Sequence, residues 1–306
     1  MKHQQLLKTA TWASVMVALC LIAIKTWAWD NTQSVSLLAS LIDSVMDSAA
    51  SVINFFAVRY AMAPADKEHR FGHGKAEALA GLGQALLIFV SVIWLLSQTL
   101  GRIWQPLGSV AVQETQSGII VMVVSMVVTA ALVLYQRWVV KQTQSTAIEA
   151  DSLHYASDLL MNFGVIVALV FAQMGYYGAD PILALVIGMY VAYSAWGIAR
   201  KAFHLLLDHE LSDEQRNQVK QLALGHEQVL GMHDLRSRQS GHMQFIQLHL
   251  ELQDDMSLLQ AHSIADAVEA RILAQFPHAD VIIHLDPVSV ANLESHAQNE
   301  RFTSDP

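Results

Sequence analysis

Residues 151–180, "DSLHYASDLLMNFGVIVALVFAQMGYYGAD", open with acids and a histidine and then run uncharged from Leu159 to Ala179. An uncharged run of that length crosses a bilayer when it is helical. His154 and Asp158 are four residues apart, so a helix stacks them one turn apart on a single face. The stretch therefore reads as a membrane helix with a polar stripe at one end. The rest of the chain has to explain what that stripe meets.

Composition agrees with a membrane setting. Of the 306 residues 53% are hydrophobic and 15% charged, too apolar for an ordinary water-soluble domain of this length. Six low-charge stretches recur at the length of a membrane span: 9–29, 35–61, 77–101, 116–137, 147–173 and 179–203. The first has basic flanks, Lys2 and Lys8, like a signal peptide, but no good small-residue cleavage site follows, so it counts as a helix. Lys and Arg gather in the N-terminal tail, the 62–76 and 137–146 loops and the segment after the sixth stretch, which predicts that both termini are cytoplasmic. In a bacterium this is the inner membrane. Lys25, toward the outer end of the first stretch, is expected to snorkel to the interface.

The character changes near residue 205. From there the chain carries 16 acids against 6 bases, so the net charge of −9 belongs to this part and a nucleic-acid partner is not expected. The single Cys20 excludes a disulfide framework and a thiolate metal site. "SDEQ" (Ser212–Gln215) and "SLLQ" (Ser257–Gln260) have the form of capping boxes that open helices. In "HMQFIQLHLEL", Ile246, Leu248, Leu250 and Leu252 alternate with Gln247, His249 and Glu251, the pattern of a half-buried strand. Ile282, His284 and Asp286 likewise share one face of "DVIIHLDP". The expected organisation is a six-helix transmembrane domain over 1–204, a cytoplasmic αββαβ domain over 205–290 and a disordered tail over 291–306.

Asp43 and Asp47 repeat the one-turn spacing of His154 and Asp158 halfway along the second stretch. A charge at mid-membrane costs about 2.5–3.5 kcal/mol on insertion scales, so two on one stripe call for a function. The plainer reading is a wet cavity or pairing with a base, and no base of the second stretch lies within a turn of them. Two helices that each supply such a pair offer three carboxylates and one imidazole, a donor set that suits a tetrahedral divalent cation and zinc above all. Protons compete for the same groups, and imidazole, which titrates near neutral pH, marks His154 as the expected proton carrier. Asp151 lies on nearly the same stripe and is assigned to a vestibule or to structure.

Two further constellations are weaker when taken alone. In "PADKEHRFGHGKAE" (64–77), Asp66, His69 and His73 fall at gaps of three and four, although polar loops often carry such residues. His233, His249, His262, His284 and Asp286 are spread through the last domain; a carboxylate that bridges would let them hold two ions, and a solvated histidine-rich surface is the alternative.

The paired "DSVMD" and "HYASD" helices, six spans and a histidine-rich last domain resemble the cation diffusion facilitator family, and within it the bacterial zinc/ferrous-iron efflux branch, over about residues 9–288. The resemblance implies a homodimeric, proton-coupled antiporter that alternates between inward- and outward-facing states and exports zinc, with cadmium and iron as further substrates. It makes Asp43, Asp47, His154 and Asp158 the transport site, Asp66, His69 and His73 a loop site, and the five residues of the last domain a binuclear site with a structural or sensing role. It also pairs Lys75 with Asp208 in a charge interlock of the dimer. Three rivals remain. A membrane-anchored metal sensor would not need acids at mid-membrane; a carrier of organic cations would show an aromatic cage or a broken helix beside the acids. An enzyme, or an ATP-driven pump, would show a nucleophile–base pair or a phosphate-binding glycine loop, and neither is present in the sequence.

Overall fold

The computed structural model describes residues 2–32, 35–103, 116–173 and 179–291. The stretch read as a disordered tail lies, except for Ala291, outside the described residues. The chain divides into two compact units, Met1–Phe203 and His204–Pro306.

Six long helices stand where the six low-charge stretches were read: α1 (Lys2–Thr32), α2 (Val35–Ala61), α3 (Lys75–Ile103), α4 (Gln116–Thr143), α5 (Thr146–Gln173) and α6 (Ala179–Leu206). Among the described residues, five of them (α1 to α4 and α6) are long and apolar enough by themselves to cross a membrane. The other is α5, the helix of the opening stretch, which carries Glu149, Asp151, His154 and Asp158. Large apolar side chains such as Trp27, Trp94, Leu134 and Tyr193 face outward, as they do where lipid replaces water.

The residues between the helices are small. Ala10, Ala85, Ala147, Ala150, Ala195 and Ala202 are fully buried, so neighbouring backbones approach closely. One close approach to backbone is at Gly81 on α3, where an added Cβ would stand 3.0 Å from the carbonyl oxygen of Thr146 at the start of α5. Only glycine leaves room there. This contact seats the polar end of α5 against α3.

The second unit is an α/β sandwich of two layers. Its elements are α7 (Asp213–Leu224), β1 (Gly231–Ser240), β2 (Met243–Leu252), α8 (Leu258–Gln275) and β3 (Ala279–Pro287). Both expected capping boxes form, with Ser212 and Gln215 opening α7 and Ser257 and Gln260 opening α8. The sheet runs in the order β1-β2-β3, with β1 and β2 antiparallel and β2 and β3 parallel. Alternation along β2 sends Ile246, Leu248, Leu250 and Leu252 into a core with Val219 and Ala223 of α7 and Ile264, Val268 and Ile272 of α8. Both helices therefore cover one face. The other face is left to the histidines.

Candidate metal centres

Helix α2 carries Asp43 and Asp47, and α5 carries His154 and Asp158. His154 Nε2 lies 3.0 Å from Asp47 Oδ1 and 3.9 Å from Asp158 Oδ2. Asp47, His154 and Asp158 each offer a donor atom, and these atoms all lie within 4.8 Å of one another. Asp43, one turn before Asp47, is exposed and is not part of that group. The structure thus brings together three of the four expected residues and leaves the fourth beside them. A hydrogen bond between Ser51 and Tyr155, 2.8 Å between oxygens, ties α2 to α5 two turns from Asp43.

Two further residues shape the surroundings of this centre, one against expectation and one in the structural role expected of it. The first is Lys25. Instead of reaching for the interface, its Nζ donates to Ser44 Oγ at 2.6 Å and to the carbonyl oxygen of Ser40 at 3.1 Å, both on α2. The reason is geometric: α1 and α2 are consecutive packed helices, and Lys25 and Asp43 lie at similar distances from the connection between them, so they meet at one depth. The second is Asp151, which is fully buried. Ser14 of α1 donates to its Oδ2 at 2.5 Å, Gln136 of α4 to the same oxygen at 2.6 Å, and Gln84 of α3 to Oδ1 at 3.1 Å. Four helices meet at this carboxylate, one turn from His154. It is a structural junction.

The loop between α2 and α3 gathers Asp66, His69 and His73, with donor atoms within 4.8 Å. Asp66 Oδ1 accepts the backbone N–H groups of His69 (2.6 Å) and Glu68 (2.9 Å), and its Oδ2 lies 3.3 Å from His73 Nε2. Those amides, His69 first, hold the Asp66 carboxyl below the usual carboxylate range. Gly72, at φ +77°, makes the turn that brings His73 back to Asp66. His73 itself is buried against Tyr60, with ring centres 4.5 Å apart.

On the open face of the sheet, register places His233 opposite His249 and His249 beside His284. Their rings stand 4.9 Å and 4.6 Å apart in a row across three strands. Asp286 lies at the centre: its Oδ2 is 2.7 Å from His249 Nδ1 and 3.5 Å from His233 Nε2, and its Oδ1 is 3.0 Å from His284 Nε2. His233, His249 and Asp286 form a group able to hold an ion, and His233 Nε2 is buried without a hydrogen-bond partner, as a ligand nitrogen would be before an ion arrives. The donors present fit a divalent metal. Glu251, which alternation alone did not single out, lies 2.9 Å from His233 Nδ1 and orients that ring. A bulge between His233 and Arg236 puts Asp234 at φ +46° and brings its carboxylate to 3.8 Å from His249 Nε2. His262 stands apart. It is exposed on α8, 3.5 Å from Asp266, and is not brought to Asp286 within one chain.

Lys75 opens α3 in the first unit, and Asp208 belongs to the second, where its carboxylate lies 3.4 Å from Arg238.

Comparison with known proteins gives matches along almost the whole chain. The family model described as cation efflux transmembrane domain matches residues 11–207, and that described as cation efflux protein, cytoplasmic domain, matches residues 211–288. The chain is 44% identical over 299 residues to the cation-efflux pump FieF of Yersinia enterocolitica, covering 98% of this chain and 99% of that protein. It is 45% identical over 299 residues to the FieF of Yersinia pestis strain Pestoides F, with the same coverage. Among solved structures, the metal-bound C-terminal domain of the CzcD transporter from Thermotoga maritima is 24% identical, covering 24% of this chain and 88% of that one, with a TM-score of 0.24.

Proposed function

This chain belongs to the cation efflux family, the cation diffusion facilitators, and on that premise we propose that it exports zinc from the cytoplasm in exchange for protons by alternating access. As a member it is a multi-pass membrane transporter that moves metal cations. The observation that carries the finer reading is the meeting of Asp47, His154 and Asp158 on two helices inside the bundle. Two carboxylates and an imidazole on two rigid helices favour a tetrahedral dication, and Asp43, one turn away on α2, would supply the fourth ligand. The substrate metal takes the position that protons otherwise hold, so each can displace the other. That exchange is the basis of antiport. Cadmium and ferrous iron share enough of zinc's ligand chemistry to be substrates.

The protein acts as a homodimer in the inner membrane with both termini in the cytoplasm. The match of its second unit to the cytoplasmic domain of the family and the asymmetry of Lys and Arg between loops support this arrangement. In that unit His233, His249, His284 and Asp286 would hold resident zinc, and Asp286, whose two oxygens face different histidines, could serve more than one ion. Bound metal neutralises part of an acidic domain and stabilises the dimer by mass action as cytoplasmic metal rises. Asp66, His69 and His73 make a more labile site near the surface. By the family resemblance, Lys75 and Asp208 would pair their charges across the dimer.

The test is zinc flux into proteoliposomes with and without an imposed pH gradient. Flux driven by the gradient supports antiport. Metal binding without flux would leave the second reading, a membrane-anchored sensor built on the histidine face of the sheet.

A further inference from the structure

A lysine inside a membrane helix ordinarily carries its charge to the nearest water interface. Lys25 lies within the apolar span Gln4–Asn31, yet it turns sideways onto α2, held by Ser44 Oγ and the Ser40 carbonyl. Ser40, Asp43, Ser44 and Asp47 recur at i, i+3, i+4 and i+7, which is one face of α2. The ammonium is therefore docked on the face that carries both acids. Ser44, its closest partner, is itself buried. Asp43 and Asp47 stand on that same face of α2, interleaved with the two serines that hold the ammonium. Helix α4, which also packs on α1, brings no charged side chain between Gln116 and Arg137.

The charges can be counted. With a metal bound, the ligands must be deprotonated, so Asp43, Asp47 and Asp158 carry three negative charges, a ligating His154 none and Lys25 one positive charge, which leaves two to be neutralised. A divalent ion completes that balance. Without Lys25 the filled site would keep one uncompensated negative charge in a medium that solvates it poorly.

We propose that Lys25 is the fixed counter-cation of the transport site, setting its charge so that one divalent ion brings it to neutrality and keeping that ion loosely enough held to be released. The proposal rests on the transport reading above and adds to it a residue that touches no metal. Lys25 opposes the incoming dication across the same carboxylates it helps to neutralise. Its removal strengthens zinc binding and slows release. At an effective dielectric constant of about 20, losing one positive charge near the site raises affinity for a dication by about tenfold or more.

The experiment uses the full chain in proteoliposomes and measures initial zinc flux against zinc concentration for the wild type and for Lys25→Met, Lys25→Gln and Lys25→Arg. In the two neutral variants the zinc KM is expected to fall about tenfold and kcat to fall by a similar factor, because release becomes slow. Lys25→Arg keeps the charge and stays near wild-type values of both. A lysine needed only for packing would lower kcat without lowering KM. Unchanged KM and kcat in the neutral variants, or a raised KM, would overturn the proposal and leave the transport reading standing. Failure of both neutral variants to fold would assign Lys25 to folding and overturn it too. A wild type with no zinc flux would overturn the transport reading itself, and this proposal with it.

Discussion

His154 Nε2 on α5 and Asp47 Oδ1 on α2 stand 3.0 Å apart, a direct link between the two helices that carry the intramembrane acids. Neither helix alone offers more than two donors. The site exists only where they meet, so it can be disabled from either side.

Asp47→Ala and Asp158→Ala are each expected to abolish zinc transport while leaving a folded dimer. Both side chains are partly exposed within the bundle, so their truncation opens no large void. Each loss leaves at most three of four ligands, and flux should drop by more than the about 10–100-fold typical of outer-sphere partners. Proteoliposome flux and size-exclusion profiles check the two halves of this expectation. Wild-type flux in either variant would remove the site from the mechanism.

Asp151 predicts the opposite pattern, a stability defect first. In Asp151→Ala the donors of Ser14, Gln84 and Gln136 lose their shared acceptor in a buried junction of four helices. Each buried donor left unpaired costs about 1–3 kcal/mol, so the thermal midpoint in detergent should fall clearly even without metal. A midpoint equal to wild type would mean that the junction is wet and carries no load.

These two centres differ in how far the sequence reveals them. Spacing of four residues within one helix announces Asp43/Asp47 and His154/Asp158, and capping boxes and alternation announce α7, α8 and β2. Those signals are local, and they hold before the chain folds. Lys25 on Ser44 and Asp151 among Ser14, Gln84 and Gln136 depend on which helices pack and at what register, which no local period encodes. For the same reason the sequence did not separate Asp43 from the other three donors, or join Glu251 to His233. His262 shows the reverse: a histidine on a helix looks like a ligand in sequence, while the fold of one chain leaves it with Asp266.

In the second unit, Asp286→Ala should remove two bound metals and not one, because Oδ1 faces His284 while Oδ2 faces His249 and His233. The unit has its own core, so a 205–290 fragment is a suitable sample for equilibrium dialysis. A variant that loses no metal would place the site elsewhere.

The loop offers a pH expectation with a definite sign. The amides of His69 and Glu68 favour the ionised form of Asp66, so its folded pKa lies below its unfolded one. Stabilisation of the loop by this carboxylate is complete above the unfolded value of about 3.9 and is lost as pH falls through the depressed folded value. The side-chain carboxyl carbon resonance of Asp66 should therefore pass through its main titration step below the unfolded value, and Asp66→Ala should displace the amide resonances of Glu68 and His69. A main step above the unfolded value would show that these amides do not hold the carboxylate.

Selectivity rests on the one nitrogen among the intramembrane donors. Imidazole suits zinc, whereas an all-oxygen set suits harder ions such as manganese and magnesium. His154→Asp converts the site to carboxylates alone on the same two helices, and Ser51 with Tyr155 still holds those helices together. Two effects then compete. The added charge attracts every dication, while loss of the imidazole removes the preference for zinc among them. Attraction is common to both metals and cancels in their ratio, so the preference decides. The zinc-to-manganese flux ratio should fall by about tenfold, the scale on which ligand-shell changes alter metal affinity. Side-by-side flux of the two metals at fixed pH measures it. An unchanged ratio would show that His154 Nε2 does not bind the transported ion, and its 3.0 Å approach to Asp47 would then be a structural tie between α2 and α5.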